Sequence, residues 1–197
     1  MQNTLTRITV FCGSSDGSEK IFTETAFVLG QKLADQKIVV VYGGASIGVM
    51  GAVADGCLKN NGQVIGIIPK FLSTKEIAHY NLTELITVET MHERKLKMHD
   101  LADGFIILPG GIGTLEEFFE ILTWAQLGLH KKPIAILNTA NYYKDLLDFI
   151  QNMVEKGFLK TIHKQLILVS ENADDLLEKM RNYQAPDLGK FMTEERT

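Results

Sequence analysis

Seven apolar runs punctuate the chain, at residues 7–12, 38–42, 64–68, 85–88, 104–108, 134–137 and 166–169. Each is continuous in its hydrophobicity and of strand length, the pattern of strands covered on both faces. The intervening stretches are long enough for right-handed crossovers, so the β-α-β rhythm predicts an α/β fold: a doubly wound, mostly parallel sheet with helices on both faces. Helices are expected near residues 19–36, 47–60, 91–102, 114–126, 143–155 and 173–181. The stretch 69–84 has no clear period and is expected to be a loop or short helix near the site. Residues 1–183 read as one domain, and the tail 184–197, with Pro186 and mixed charges, as weakly ordered.

In open parallel sheets, ligands bind beyond the carboxyl ends of the strands. Three of the turns expected there are rich in glycine: Gly13-Ser14-Ser15-Asp16-Gly17, Gly43-Gly44-Ala45-Ser46-Ile47-Gly48 and Pro109-Gly110-Gly111-Ile112-Gly113-Thr114. Each leads into a helix, whose unpaired N–H groups and positive dipole end suit an anion such as a phosphate or phosphorylated sugar. One such turn alone reads more readily as a tight strand-to-helix connection, whereas three at one sheet edge favour the ligand. None follows GxGxxG and no GxxxxGK[ST] occurs, which argues against a dinucleotide or Walker-type site. Gly13 to Gly17 matches GxSxG, but it follows the first strand, without the upstream elements of an α/β-hydrolase.

Two charged residues fall on apolar helix faces. Glu117 shares a face with Ile121 and Trp124, whereas Glu116, Glu120 and Thr123 lie on another. A structural reading is open too, because Thr114-Leu115-Glu116-Glu117 has the form of a capping box. Arg94 is spaced with Met91, Met98 and Leu101 on the apolar stripe of its helix. It reads either as a buried partner that keeps a carboxylate beside a phosphate or as an arginine whose stem packs while its head reaches water. Lys95 and Lys97 are expected to face solvent, with Lys95 within reach of a phosphate. His92 and His99 are too far apart along the helix to grip one ion, and no other His, Cys or carboxylate cluster has ligand spacing, so no metal is predicted.

Composition narrows the field. The 197 residues carry 20 Lys plus Arg against 24 Asp plus Glu, a formal charge of −4, which argues against nucleic acid and acidic membranes as partners. No apolar run has the length of a membrane span and the N-terminus lacks signal-peptide character, so a cytoplasmic protein is expected. Cys12 and Cys57 form no CxxC pair and read as core packing.

The motif Pro109-Gly110-Gly111-Ile112-Gly113-Thr114-Leu115-Glu116-Glu117, preceded by Met91-His92-Glu93-Arg94-Lys95, resembles the LOG (Lonely Guy) family. Phe11-Cys12-Gly13-Ser14-Ser15, Tyr42 to Gly51 and Thr123-Trp124-Ala125-Gln126-Leu127-Gly128 carry the same resemblance, which spans roughly residues 8–158. It implies a Rossmann-like homodimer without cofactor that hydrolyses the N-glycosidic bond of AMP or cytokinin riboside 5′-monophosphates to free base and ribose 5-phosphate. By the same resemblance the catalytic pair falls on Arg94 and Glu117. Further substrate contacts fall on Glu76, Lys95, Gly111, Ile112, Gly113, Thr114, Leu115, Glu116 and Thr123, beside the turn residues Gly13, Ser14, Gly44 and Gly110. Ala45 and Ile112 stand where many members have glycine and an aromatic residue. In the implied reaction, Glu117 stabilises the sugar cation or activates water, and Arg94 holds Glu117 ionised and orients it. Glu76, on the irregular stretch, is expected to contact the base. Such families often carry the label lysine decarboxylase, but the sequence shows no setting for a Schiff-base lysine. The alternative in another class is a non-catalytic nucleotide sensor, which would keep the glycine turns and need neither Arg94 nor Glu117. Trp124, Leu127 and Leu129, near Gly128, read either as a dimer face or as core.

Overall fold

Runs such as Val39–Tyr42 and Gly104–Ile107 offer no polar face to water, and in the computed structural model they form strands at the centre of the molecule. The structure describes residues 3–73 and 78–188. Seven parallel strands, β1 (Arg7–Phe11), β2 (Val39–Tyr42), β3 (Val64–Pro69), β4 (Glu84–Val88), β5 (Gly104–Ile107), β6 (Ile134–Leu137) and β7 (Ile167–Ser170), lie in the order β4-β3-β2-β1-β5-β6-β7. The helices are α1 (Ile21–Asp35), α2 (Gly48–Lys59), α3 (Lys70–Ser73), α4 (Met91–Leu101), α5 (Ile112–Gln126), α6 (Lys144–Glu155), α7 (Thr161–Lys164) and α8 (Ala173–Asn182).

The sheet is covered on both sides, as the continuous apolar runs predict. On one face Leu29 and Leu33 of α1, Val53 of α2 and Leu176, Leu177 and Met180 of α8 are buried with Ile8, Val10 and Val40. On the other, Met98 of α4, Phe118 and Ile121 of α5 and Ile150 of α6 pack with Phe11, Phe105 and Ile136. The chain leaves β1 toward the first face and β5 toward the second. These two neighbours therefore form the topological switch point, where their following loops part and leave a crevice.

The expected strands are all present, with no end shifted by more than one residue. The stretch 69–84 divides into the end of β3, the short α3, an isolated bridge between Ala78 and Ala45, and the start of β4, with 74–77 outside the described residues. The short α7 and the 3-10 turn Thr139–Asn141 have too little periodicity to be legible beforehand. Of the expected tail, residues 184–188 form no helix or strand and Leu188 packs on the second face. No described helix is long and apolar enough to cross a membrane.

Candidate functional site

The crevice at the switch point holds a cavity of about 310 Å³, into which α4 and α5 bring the two charged residues singled out by their apolar spacing. Helix α4 is stopped at its start by Thr90, whose hydroxyl accepts the Glu93 N–H at 3.1 Å. That start leaves Arg94 in line with Met98 and buried, at 6% exposure. Its Nε donates to Ile67 O at 3.1 Å and its Nη2 to Gly43 O at 3.3 Å, so the guanidinium is held by the carboxyl ends of β3 and β2. Gly43 is required by this contact, since a Cβ there would lie 2.1 Å from Nη2. Arg94 is therefore a buried cation and not a snorkelling one.

Glu117 is equally buried, at 6% exposure, on the side of α5 shared with Ile121. The capping-box alternative does not form. Helix α5 starts at Ile112 with Gly111 as its cap and no side-chain cap bond, which places Thr114 inside the first turn, buried. Arg94 and Glu117 line the same cavity, yet no salt bridge joins them among the described residues. Burial pushes the Glu117 pKa up to about 7; the field of Arg94, and more weakly of Lys95, opposes this, and Glu116 and Glu120 add to it. The expectation that Arg94 keeps Glu117 ionised therefore holds in direction only: its field favours the carboxylate, but the guanidinium is committed to carbonyls and desolvation outweighs it.

Lys95 differs from expectation as well. Instead of facing solvent, it is largely buried between α4 and α5, with Nζ 2.6 Å from Glu116 and 2.9 Å from Glu120. Burial works against its charge, but the two carboxylates outweigh burial and raise its pKa above the ordinary value. A Schiff-base lysine needs the opposite shift.

The turn after β5 faces the cavity with donors. Four successive carbonyls are occupied: Leu108 O accepts from the Tyr143 hydroxyl at 2.7 Å, Pro109 O from Gly13 N at 3.1 Å, Gly110 O from the Tyr142 hydroxyl at 2.7 Å and Gly111 O from Leu115 N at 3.1 Å. Among the described residues, no acceptor meets the N–H groups of Gly111, Ile112, Gly113 or Thr114, whereas the Gly110 N–H meets the Tyr143 hydroxyl. Carbonyls held and N–H groups free, at the positive end of a helix of 15 residues, is the electrostatic arrangement for a phosphate. Gly110 cannot carry a side chain, since a Cβ would lie 2.1 Å from Thr114 Oγ1, whereas one at Gly111 or Gly113 would meet open space.

Of the residues expected at the site, Gly13, Ser14, Arg94, Gly111, Gly113, Thr114, Glu116 and Glu117 line this cavity. Gly110 borders a neighbouring cavity of about 480 Å³ on the α1 side, which shares Gly13, Ser14 and Gly111 with the first. Ile112 is 86% exposed at the start of α5, and Leu115 packs on the second core face. Thr123 sits on the exposed side of α5, its hydroxyl on Phe119 O, apart from the cavity lining. Gly44 lies behind the cavity at φ +80°, its carbonyl accepting from His79 N at 2.9 Å. Ala45 needs no left-handed backbone, so its side chain carries no strain there. Glu76 lies outside the described residues.

Sequence reasoning missed Met50, Leu72 and Met91, which form an apolar wall of the cavity, and Cys12, which lines it beside Glu117 and Arg94. Cys12 is buried, as expected, and burial raises its pKa, so it is an inert thiol. Only the position of Cys12 at the end of β1 and of Met91 one turn before Arg94 signalled them. A larger cavity of about 660 Å³ lies between the loop after β1 and α2, but Asp16, Glu19, Glu24 and Asp55 line it, which makes it a poor seat for an anion.

A parallel sheet with a buried guanidinium, a buried carboxylate and a row of free N–H groups at its switch point defines a doubly wound α/β protein with a site for a phosphorylated ligand. A family model described as "possible lysine decarboxylase" matches residues 50–180. Cytokinin riboside 5′-monophosphate phosphoribohydrolase LOG7 of Arabidopsis thaliana is 44% identical over 90% of this chain and 82% of its own length. A probable enzyme of the same name, LOGL2 of Oryza sativa, is 43% identical over 93% of this chain and 75% of its own length. The chain belongs to this LOG family. The fold is also similar to that of the molybdenum cofactor binding protein of Rippkaea orientalis, with TM-score 0.68 at 21% identity, covering 91% of this chain and 97% of that one. A molybdenum cofactor carrier protein of Chlamydomonas reinhardtii gives TM-score 0.66 at 17% identity, covering 91% and 98%.

Proposed function

We propose that the protein hydrolyses the N-glycosidic bond of nucleoside 5′-monophosphates, AMP or cytokinin riboside 5′-monophosphates, to free base and ribose 5-phosphate. The observation that carries this reading is the pairing, in one cavity, of the free N–H groups of Gly111, Gly113 and Thr114 with the buried carboxylate of Glu117. The N–H row takes the 5′-phosphate. As the base leaves with the bonding electron pair and takes up a proton from solvent, positive charge builds on the ribose, and the ionised Glu117 stabilises it and accepts a proton from the attacking water. The Arg94 guanidinium favours the ionised state of Glu117 through its field and offsets the repulsion between carboxylate and phosphate. The wall of Met50, Leu72 and Met91 receives the apolar face of the base.

The names of the relatives support the reaction, and this reading extends it to a homodimer in the cytoplasm, with Leu127 and Leu129, exposed just beyond α5, as part of the dimer face. The test is incubation of the purified protein with AMP and, separately, isopentenyladenosine monophosphate, with free base resolved by chromatography. Base is expected from wild type and not from Glu117→Gln. Binding of AMP without any release of base would overturn the hydrolase in favour of a nucleotide sensor.

A further inference from the structure

We propose that Tyr142 is a positioning residue for phosphate recognition, locking the Gly110–Gly111 peptide so that the Gly111 N–H faces the cavity. The inference rests on the phosphate reading of the N–H row. In a planar trans peptide the C=O of one residue points opposite to the N–H of the next. Whatever holds the Gly110 carbonyl therefore aims the Gly111 N–H. A peptide between two glycines is the one most free to flip, because neither neighbour has a Cβ to oppose the rotation. Flipped, it would present a carbonyl oxygen to the anion in place of a donor.

The Tyr142 hydroxyl holds that carbonyl at 2.7 Å from the neighbouring cavity on the α1 side, where its ring packs edge-on to Phe22 of α1 at 5.6 Å between centroids. The turn after β6 is shaped to bring the tyrosine there. Ala140 and Asn141 are both left-handed, at φ 50° and 61°, and Asn138 braces them: its Oδ1 accepts from Tyr143 N at 2.8 Å and its Nδ2 donates to Asn141 Oδ1 at 3.1 Å. Tyr143 provides the internal comparison. Its hydroxyl makes a bond of the same 2.7 Å length to Leu108 O and meets the Gly110 N–H, but the Leu108–Pro109 peptide has no N–H to aim and neither contact holds the carbonyl that aims the Gly111 N–H.

The experiment compares wild type, Tyr142→Phe and Tyr143→Phe by calorimetric titration with inorganic phosphate and with AMP, by steady-state kinetics on AMP, and by thermal denaturation. Tyr142 is 46% exposed, so its variant keeps the fold. Tyr142→Phe is expected to lose about tenfold in affinity for phosphate and to raise KM for AMP by a similar factor, with kcat within about twofold and Tm unchanged. Binding of adenosine, which has no phosphate, stays as in wild type. Tyr143→Phe is expected to lower Tm while leaving phosphate affinity unchanged. Equal phosphate affinity in wild type and Tyr142→Phe, or an equal loss for AMP and adenosine, would overturn the proposal. Absence of base release by wild type would instead strike the hydrolase reading, and phosphate titration tests the tyrosine independently of it.

Discussion

Arg94 and Glu117 face one cavity from neighbouring helices, both buried, without forming an ion pair. The guanidinium spends its Nε and Nη2 hydrogens on Ile67 O and Gly43 O, and acts on Glu117 only through its field. The carboxyl is consequently poised near neutrality, where a general base is most useful.

The pH dependence of the reaction follows. Glu117 has its pKa pushed up to about 7, so kcat/KM is expected to rise with pH through about 7 and level off above it. The same shift has a stability consequence of opposite sign. A carboxyl that titrates higher when folded favours the fold while protonated, and that advantage fades as pH rises from the ordinary value of 4.5 through about 7. Glu117→Gln is thus expected to abolish turnover and to be more stable than wild type at pH 8, by up to about 3 kcal/mol, with little difference at pH 4. Urea denaturation at the two pH values checks it.

Removing Arg94 has two effects. Arg94→Met leaves Gly43 O and Ile67 O without their donors, at a cost of about 1 to 3 kcal/mol. It also removes the field that opposes protonation of Glu117, so the rising limb of the pH–rate profile moves above 7 in whatever activity remains. A limb that stays in place would show that Arg94 does not act on Glu117.

Lys95 is expected to tune the same carboxyl from a distance. Lys95→Met frees the charges of Glu116 and Glu120, both of which raise the Glu117 pKa, and removes the opposing charge of Lys95 itself. The rising limb shifts to higher pH, and Glu116→Gln shifts it to lower pH. Steady-state rates on AMP between pH 5 and 9 separate this from direct phosphate binding, which would change KM and leave the limb where it is.

Gly43 and Gly113 should respond differently to the same methyl group. At Gly43 the added carbon would lie 2.1 Å from Arg94 Nη2, so Gly43→Ala displaces the guanidinium and is expected to cost at least tenfold in kcat. At Gly113 it meets nothing within 4 Å and the N–H is retained, so Gly113→Ala is expected to keep the fold and to affect AMP binding only where the ligand itself approaches. Parallel kinetics and Tm values test the contrast.

Acid lability has a source away from the site. His130 is buried as the neutral ring, Nε2 donating to Ile121 O at 2.9 Å and Nδ1 accepting from Lys132 N at 3.2 Å, and burial pushes its pKa down to about 4. The unfolded chain takes up a proton at the ordinary 6.5 while the fold resists it, so the contribution of His130 to stability is expected to fall as pH drops from about 6.5 toward 4, against the opposite contribution of Glu117. His130→Gln should flatten that slope in denaturation midpoints measured across the interval.

The sequence by itself determined the sheet, its parallel sense and the two odd charges. Continuous runs such as Val39–Tyr42 can only be strands buried on both faces, and the spacing of Arg94 with Met98 and of Glu117 with Ile121 puts each charge on a buried stripe, because helix periodicity is local. Tertiary structure alone decided what those charges meet. Arg94 binds carbonyls of β2 and β3, Lys95 is trapped by Glu116 and Glu120, and Tyr142 reaches back 32 residues to the glycine turn. Such contacts join segments far apart in the chain, and the strand order that brings them together is not written in any local pattern. The Glu117 pKa belongs to the same category: it is a balance of desolvation against several distant charges, and that balance exists only once the chain has folded around it.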